Sequence, residues 1–153
     1  VRIIRGKYKT RYFPVPKGFP SRPTTDFAKE ALFNILENSY VQDDMRILDL
    51  CAGTGSISFE FLSREFGHVT AVDSHPISLR HIQALSRQLD CEDLINTVKS
   101  DVLRFLQASR QTQFDLIFAD PPYVYGKYDE LIRAVFDGDW LHDDGVLIVE
   151  HGK

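Results

Sequence analysis

Cysteine, methionine and tryptophan are scarce in this chain, with two, one and one among 153 residues. Cys51 and Cys91 lie in no Cys-x-x-Cys or His-rich context, which excludes a disulfide framework and a zinc cradle, so both read as reduced packing residues. His68, His81, His142 and His151 share no metal-ligand spacing, and no metal is expected. No uncharged apolar run approaches the roughly 20 residues of a membrane span. The opening Val-Arg-Ile-Ile-Arg lacks the apolar core of a signal peptide. The expectation is a soluble, cytoplasmic, monomeric protein with no membrane partner, long enough to bury a core as one domain.

Acidic residues are missing from one place. Residues 1–22 carry seven basic side chains (Arg2, Arg5, Lys7, Lys9, Arg11, Lys17 and Arg22) and no Asp or Glu, leaving 11 basic against 22 acidic in the remainder. A net charge of -4 therefore hides a basic arm on an acidic body. That layout suits phosphate contacts at one place while the body discourages non-specific coating of nucleic acid. A solvated, fraying terminus is the bland alternative.

Ile3, Ile4, Tyr8, Tyr12 and Phe13 alternate loosely with Arg and Lys around Gly6 and predict a short hairpin appended to the body. Pro14, Pro16, Gly18, Pro20 and Pro23 make a connector, because each proline fixes φ and removes a donor. Residues 1–23 are thus read as arm and connector, and 24–153 as the main domain. Thr24, Thr25 and Asp26 offer capping oxygens for a helix whose apolar face is expected to hold Phe27, Ala31, Leu32, Ile35 and Leu36. From Arg46 onward, strand and helix alternate. Strands are predicted at 46–50, 69–73, 95–98, 114–119 and 145–149, with helices between them. That rhythm predicts an α/β fold, a mostly parallel sheet with helices on both faces and the strand C-termini along one edge.

Leu48-Asp49-Leu50-Cys51-Ala52-Gly53-Thr54-Gly55-Ser56 closes the first of these strands in a glycine turn that lets backbone approach a ligand before a helix begins. Asp73, ending the next strand, is placed to accept from ribose hydroxyls. A nicotinamide dinucleotide is one candidate. Against it, Ser58 stands where Gly-x-Gly-x-x-Gly has its third glycine, and Asp49 would sit poorly beside a pyrophosphate. The same carboxylate suits S-adenosylmethionine, which has an ammonium, a sulfonium and no phosphate. Asp101 reads equally as an adenine contact and as a helix N-cap, and Ser74 and His75 as caps of the helix at Pro76.

Asp120-Pro121-Pro122-Tyr123 follows the fourth strand. A nucleobase amine is a poor nucleophile because its lone pair is delocalised into the ring. Acceptors aimed at its N–H groups favour a more pyramidal, more reactive nitrogen. Asp120 and a carbonyl of the proline pair supply such acceptors, Tyr123 supplies a stacking face, and the prolines stiffen the segment and remove competing donors. The chemistry would then rest on holding nitrogen, methyl carbon and sulfur in line, with the base taken out of its stack. The bland alternative is a strand-terminating loop with Tyr123 in the core.

Taken together, the chain resembles the bacterial 16S rRNA (guanine-N2)-methyltransferases, a family of class I S-adenosylmethionine-dependent enzymes. The likeness rests on Arg2-Ile3-Ile4-x-Gly6-Lys7, Arg22-Pro23-Thr24-Thr25-Asp26, Glu30-x-Leu32-Phe33-Asn34, the glycine loop and Asp120-Pro121-Pro122-Tyr123, and it spans nearly the whole chain. It implies a Rossmann-like class I methyltransferase fold with a short N-terminal β-hairpin. It also implies methylation of a guanine N2 amine in 16S rRNA, within the small ribosomal subunit or its assembly intermediate. On the family pattern, the loop residues Ala52, Gly53, Thr54 and Gly55, with Asp73, would hold S-adenosylmethionine; Asp49 and Asp101 join the expected cofactor contacts from their own placement. Asp120, Pro121, Pro122 and Tyr123 would face the target base, while Arg22 and Thr24 border the site. Arg2, Arg5, Lys7, Lys9, Arg11 and Arg22 are the expected RNA contacts. The family continues into a final β-hairpin where this sequence ends at His151-Gly152-Lys153, so the sequence reads as a fragment. Cys51 stands where some relatives carry an aromatic residue. A DNA or protein-glutamine methylase, and a non-catalytic RNA-binding module serving ribosome assembly, are the competing readings.

Overall fold

The computed structural model describes residues 1–19, 24–39, 44–108, 112–121 and 126–150. Helix α1 (Asp26–Ser39) leads into β1 (Met45–Leu50), α2 (Ser56–Ser63), β2 (Gly67–Asp73) and α3 (Pro76–Gln88). A 3-10 turn (Glu92–Leu94) then precedes β3 (Ile95–Lys99), α4 (Val102–Gln107), β4 (Phe114–Ala119), α5 (Tyr128–Asp137) and β5 (Leu141–Val149). The five strands lie in the order β3-β2-β1-β4-β5, every pair parallel. Chain direction across the sheet reverses between β1 and β4, the kind of switch point where α/β proteins open a crevice at the strand C-termini.

The strand interiors are apolar on both sides, and each side has its own core. Ile47, Val69, Ala71, Leu116 and Phe118 face a layer that includes α1, α2, α3 and the N-terminal segment. Leu48, Leu50, Val72, Ile117 and Ala119 face α4, α5 and Trp140. In the first layer Phe33, Phe61 and Phe66 pack edge to face with centroids 4.7–5.9 Å apart, the geometry that aligns positive ring edges with negative ring faces. All eight residues of α2 are buried. It therefore has no polar face, and Glu60 in its middle needs partners.

Two expectations are corrected here. The face of α1 that packs inward carries Lys29, Phe33 and Leu36, whereas Phe27 and Ile35 are 85% and 61% exposed and Ala31 is exposed beside them. The sequence holds two apolar stripes, and the inward one is chosen because Phe33 completes the phenylalanine cluster and Lys29 meets Glu60. The second correction concerns the N-terminal segment, which is no loose appendage. One antiparallel bridge, Arg2 to Tyr12, marks the hairpin, with Ile3 and Arg11 bonded beside it. Val1, Ile3, Tyr8 and Phe13 are buried in the first core.

Candidate active site

The C-terminal edge of the sheet gathers the residues singled out from the sequence. Asp49 is aligned with Ala71 on one side and Phe118 on the other, and its side chain leaves the sheet on the same face as theirs, toward α2, just below the switch point. It is buried, and its Oδ2 accepts from Ser58 Oγ at 2.6 Å. Burial pushes this carboxyl up to about 7; the Ser58 hydrogen bond opposes the rise and the charges of Asp120 and Asp73 add to it. Ser58 is thus the residue that answers Asp49, in place of the third glycine of a dinucleotide loop.

Beyond β1 the backbone turns through left-handed residues at alternate positions, Cys51 (φ 60), Gly53 (φ 56) and Gly55 (φ 81). Only glycine adopts such angles freely. A methyl group at Gly55 would also lie 2.9 Å from Ile82 and from Phe59, so this turn is tight on its inner side. Ala52 N–H donates to Val72 O and Gly53 N–H to Asp73 Oδ2 at 2.8 Å, binding the loop to the end of β2. Asp73 Oδ1 accepts from the His75 backbone at 2.9 Å and lies 3.0 Å from His75 Nδ1. A carboxylate oxygen has two lone pairs, so Oδ2, with Gly53 as its one donor, remains able to accept again. Burial and the surrounding carboxylates push the Cys51 thiol well up, which leaves it a neutral packing group rather than a nucleophile.

Asp120 directly follows Ala119, which is paired with Leu50 and Val149, so it stands level with the start of the glycine turn across the switch point. Pro121 is buried beside it. Pro122, Tyr123 and Arg22 lie outside the described residues. Asp101 caps α4, its Oδ2 accepting from Leu103 and Arg104 at 3.1 and 3.2 Å. Thr54 is buried, and Thr24 lies just before α1.

Sequence reasoning missed a buried ionic network behind the loop. Lys29 and Glu60 are both fully buried, with Nζ 3.5 Å from Oε1. Lys29 also donates to Arg2 O and to Ser56 Oγ. Glu60 accepts from the backbone of Ile4 (2.9 Å) and Arg5 (3.1 Å) and from Arg64 Nε (2.7 Å), while the Arg64 guanidinium lies 4.6 Å over the Phe33 ring. Burial lowers the Lys29 ammonium below its ordinary value and Glu60 pulls it back. Charges without water are costly unless every lone pair and proton is matched, which this network approaches. The sequence signal was Glu60 inside the apolar run Ile57–Leu62. The expected RNA contacts Arg2, Arg5, Lys7, Lys9 and Arg11 are all exposed, though Arg2 and Arg5 engage Asp26 (3.3 Å) and Glu30 (3.9 Å).

A parallel sheet with this strand order, a glycine turn after β1 and carboxylates ending β1, β2 and β4 defines a Rossmann-like fold of the class I methyltransferase type. The chain belongs to the family described as conserved hypothetical protein 95, whose model matches residues 1–153. It is 34% identical to ribosomal RNA small subunit methyltransferase D of Escherichia coli K12, over 98% of this chain and 74% of that protein. The protein of the same name from Haemophilus influenzae is 33% identical, over 100% and 79%. The solved structure of Escherichia coli yhhF superposes with a TM-score of 0.88 at 32% identity, covering 100% of this chain and 81% of that one. The family resemblance read from the motifs therefore holds.

Proposed function

We propose that this protein is an S-adenosylmethionine-dependent rRNA methyltransferase that modifies the exocyclic N2 amine of a guanine in 16S rRNA. It would act in the cytoplasm, as a monomer, on the small subunit or an assembly intermediate, with residues 1–23 as substrate arm and 24–153 as the methyltransferase domain. The observation that carries this reading is the pairing, across the switch point, of a glycine turn backed by the buried Asp49 with Asp120 and Pro121 at the end of β4. The sequence identity to rRNA methyltransferases supports the substrate class.

The residues present fit the cofactor. A buried carboxyl held by one hydroxyl, with two further carboxylates nearby, favours a permanent positive charge and disfavours a pyrophosphate. The cofactor supplies a methyl group on a sulfonium, an electrophile that needs no activation by metal or acid. Gly53 and Gly55 let the loop backbone approach it, with Ala52 and Thr54 shaping the turn. Asp73 would accept from the ribose, and Asp101 would meet the adenine with the oxygen it does not use in capping. On the substrate side, Asp120 and the Pro121 carbonyl accept the two amine N–H groups, and Tyr123, with Pro122 stiffening its segment, stacks on the extruded base. Asp120 would stabilise the positive charge that develops on the amine nitrogen as it takes the methyl group from the sulfonium, and the amine proton would leave to Asp120 or to water.

The test supplies tritiated cofactor with 16S rRNA, small subunits, DNA and a release factor. Label is expected in rRNA, and mass spectrometry should locate it on a guanine N2; label confined to DNA or protein overturns the reading. Asp120→Ala should lower kcat by about two to three orders of magnitude while leaving cofactor affinity unchanged. An equal loss of both would assign Asp120 a structural role.

A further inference from the structure

The two carboxylate oxygens of Asp73 are engaged unequally, and the division decides what is left for a ligand. Oδ1 accepts from the His75 backbone at 2.9 Å and lies 3.0 Å from His75 Nδ1. Oδ2 has the Gly53 N–H at 2.8 Å as its one donor among the described residues. An ionised carboxylate accepts and cannot donate, so the ring contact requires the proton on Nδ1. Ser74 Oγ stands 3.5 Å from the same nitrogen, too far to take that proton from Asp73. Oδ1 then has a donor for each of its two lone pairs, and Oδ2 has one lone pair open.

The backbone half of this arrangement is ordinary. An Asp that takes the amide two residues on forms an Asx turn, which needs no particular side chain at that second residue. The imidazole is what the turn does not explain. His75 holds the cap position of α3, yet its side chain makes no capping hydrogen bond to the helix and turns back to Asp73 instead. The carboxylate is 6% exposed and the ring 54% exposed, so the ring meets Asp73 from the solvent side. Gly53, bonded to Oδ2, belongs to the glycine turn, which places the open lone pair on the oxygen nearest that turn.

We propose that His75 is a positioning residue for S-adenosylmethionine: by occupying Oδ1 it fixes the Asp73 carboxylate with Oδ2 toward the glycine turn, so that the ribose is held there through one of its two hydroxyls rather than both. This rests on Asp73 as the ribose acceptor, as read above, and adds the residue that decides how Asp73 accepts. A vicinal diol set against an unencumbered carboxylate donates to both oxygens. With Oδ1 filled, the second hydroxyl finds no lone pair on Asp73.

The test is calorimetric titration of the wild type, His75→Ala and His75→Phe with S-adenosylhomocysteine and with its 2′-deoxy and 3′-deoxy forms. In the wild type one deoxy form should bind about tenfold more weakly than the parent, the loss of one hydrogen bond to a charged acceptor, and the other should bind as the parent does. His75→Ala opens a lone pair on Oδ1, so both deoxy forms should then bind more weakly than the parent and the asymmetry should shrink. His75→Phe keeps a ring without a donor and should behave as His75→Ala does. A purely structural role for the ring would lower the melting temperature of the unliganded variants and leave the asymmetry in place. An asymmetry that survives in either variant therefore overturns the proposal. So do equal losses from the two deoxy forms in the wild type, or no loss from either, while binding of the parent keeps the cofactor reading standing. If the wild type does not bind S-adenosylhomocysteine at all, the cofactor reading of this site falls and the proposal with it.

Discussion

Asp49 shows how one buried carboxyl ties stability to binding. Its ordinary value is 3.8 and the fold raises it to about 7. Below about pH 4 it is protonated in both folded and unfolded chains and contributes no pH dependence. Between about pH 4 and 7 the unfolded chain releases the proton first, so stability falls as pH rises, by roughly 4 kcal/mol at most, and then levels. Asp49→Asn, which keeps an acceptor for Ser58, should flatten this fall and melt at a higher temperature than the wild type at pH 8. The same variant should lose the gain in S-adenosylmethionine affinity expected between pH 6 and 7.5, where ionisation of Asp49 supplies a partner for positive charge. Calorimetry and thermal melts across that range decide it; a variant with the wild-type slope would mean that another group carries the pH dependence.

At the scale of elements, the N-terminal arm and α2 behave as one piece. Gly6 passes so close to the end of α2 that a methyl group there would lie 2.0 Å from Ser63 O, and φ is 91. Around it Lys7 donates to Ser63 O (2.7 Å), Tyr8 to Ser63 Oγ (3.0 Å), and Ser63 Oγ to Arg5 O (2.5 Å). Gly6→Ala must push the arm off the helix, and a loss of about 2 kcal/mol or more is expected from the left-handed strain and the broken contacts. Because Arg2 and Lys7 move with the arm, RNA affinity should fall as well, while the cofactor loop, fixed to β2 through Asp73, should bind as before. Urea denaturation and cofactor titration separate these effects. Equal loss of cofactor affinity would mean that the arm also sets the geometry of the loop.

Across the whole molecule, much was legible in the sequence and the remainder was hidden for physical reasons. Apolar runs located every strand to within a few residues, and most closely β1 and β4, which are buried on both faces and have little alternation to confuse. Asp49, Gly53, Gly55, Asp73 and Asp120 were legible because parallel strands deliver their ends to one edge, and the structure brings these residues there. The packing face of α1 was read only in part: Leu36 is buried and Leu32 packs against the core as expected, but Phe27, Ala31 and Ile35 point outward, and only Glu60, some thirty residues away, decides where Lys29 must point. No local pattern announces that choice. The basic arm was legible as charge but not as core, since Ile3 and Phe13 become buried only by meeting α2 and α1. Segments outside a sheet ordinarily open often, and their amides exchange with solvent readily. Here the amides of Ile4, Arg5, Lys7 and Tyr8 are held by Glu60 and Ser63 on a helix with no exposed residue. In deuterated water they should exchange as slowly as those of β1, which would make this basic segment among the last parts of the fold to let go.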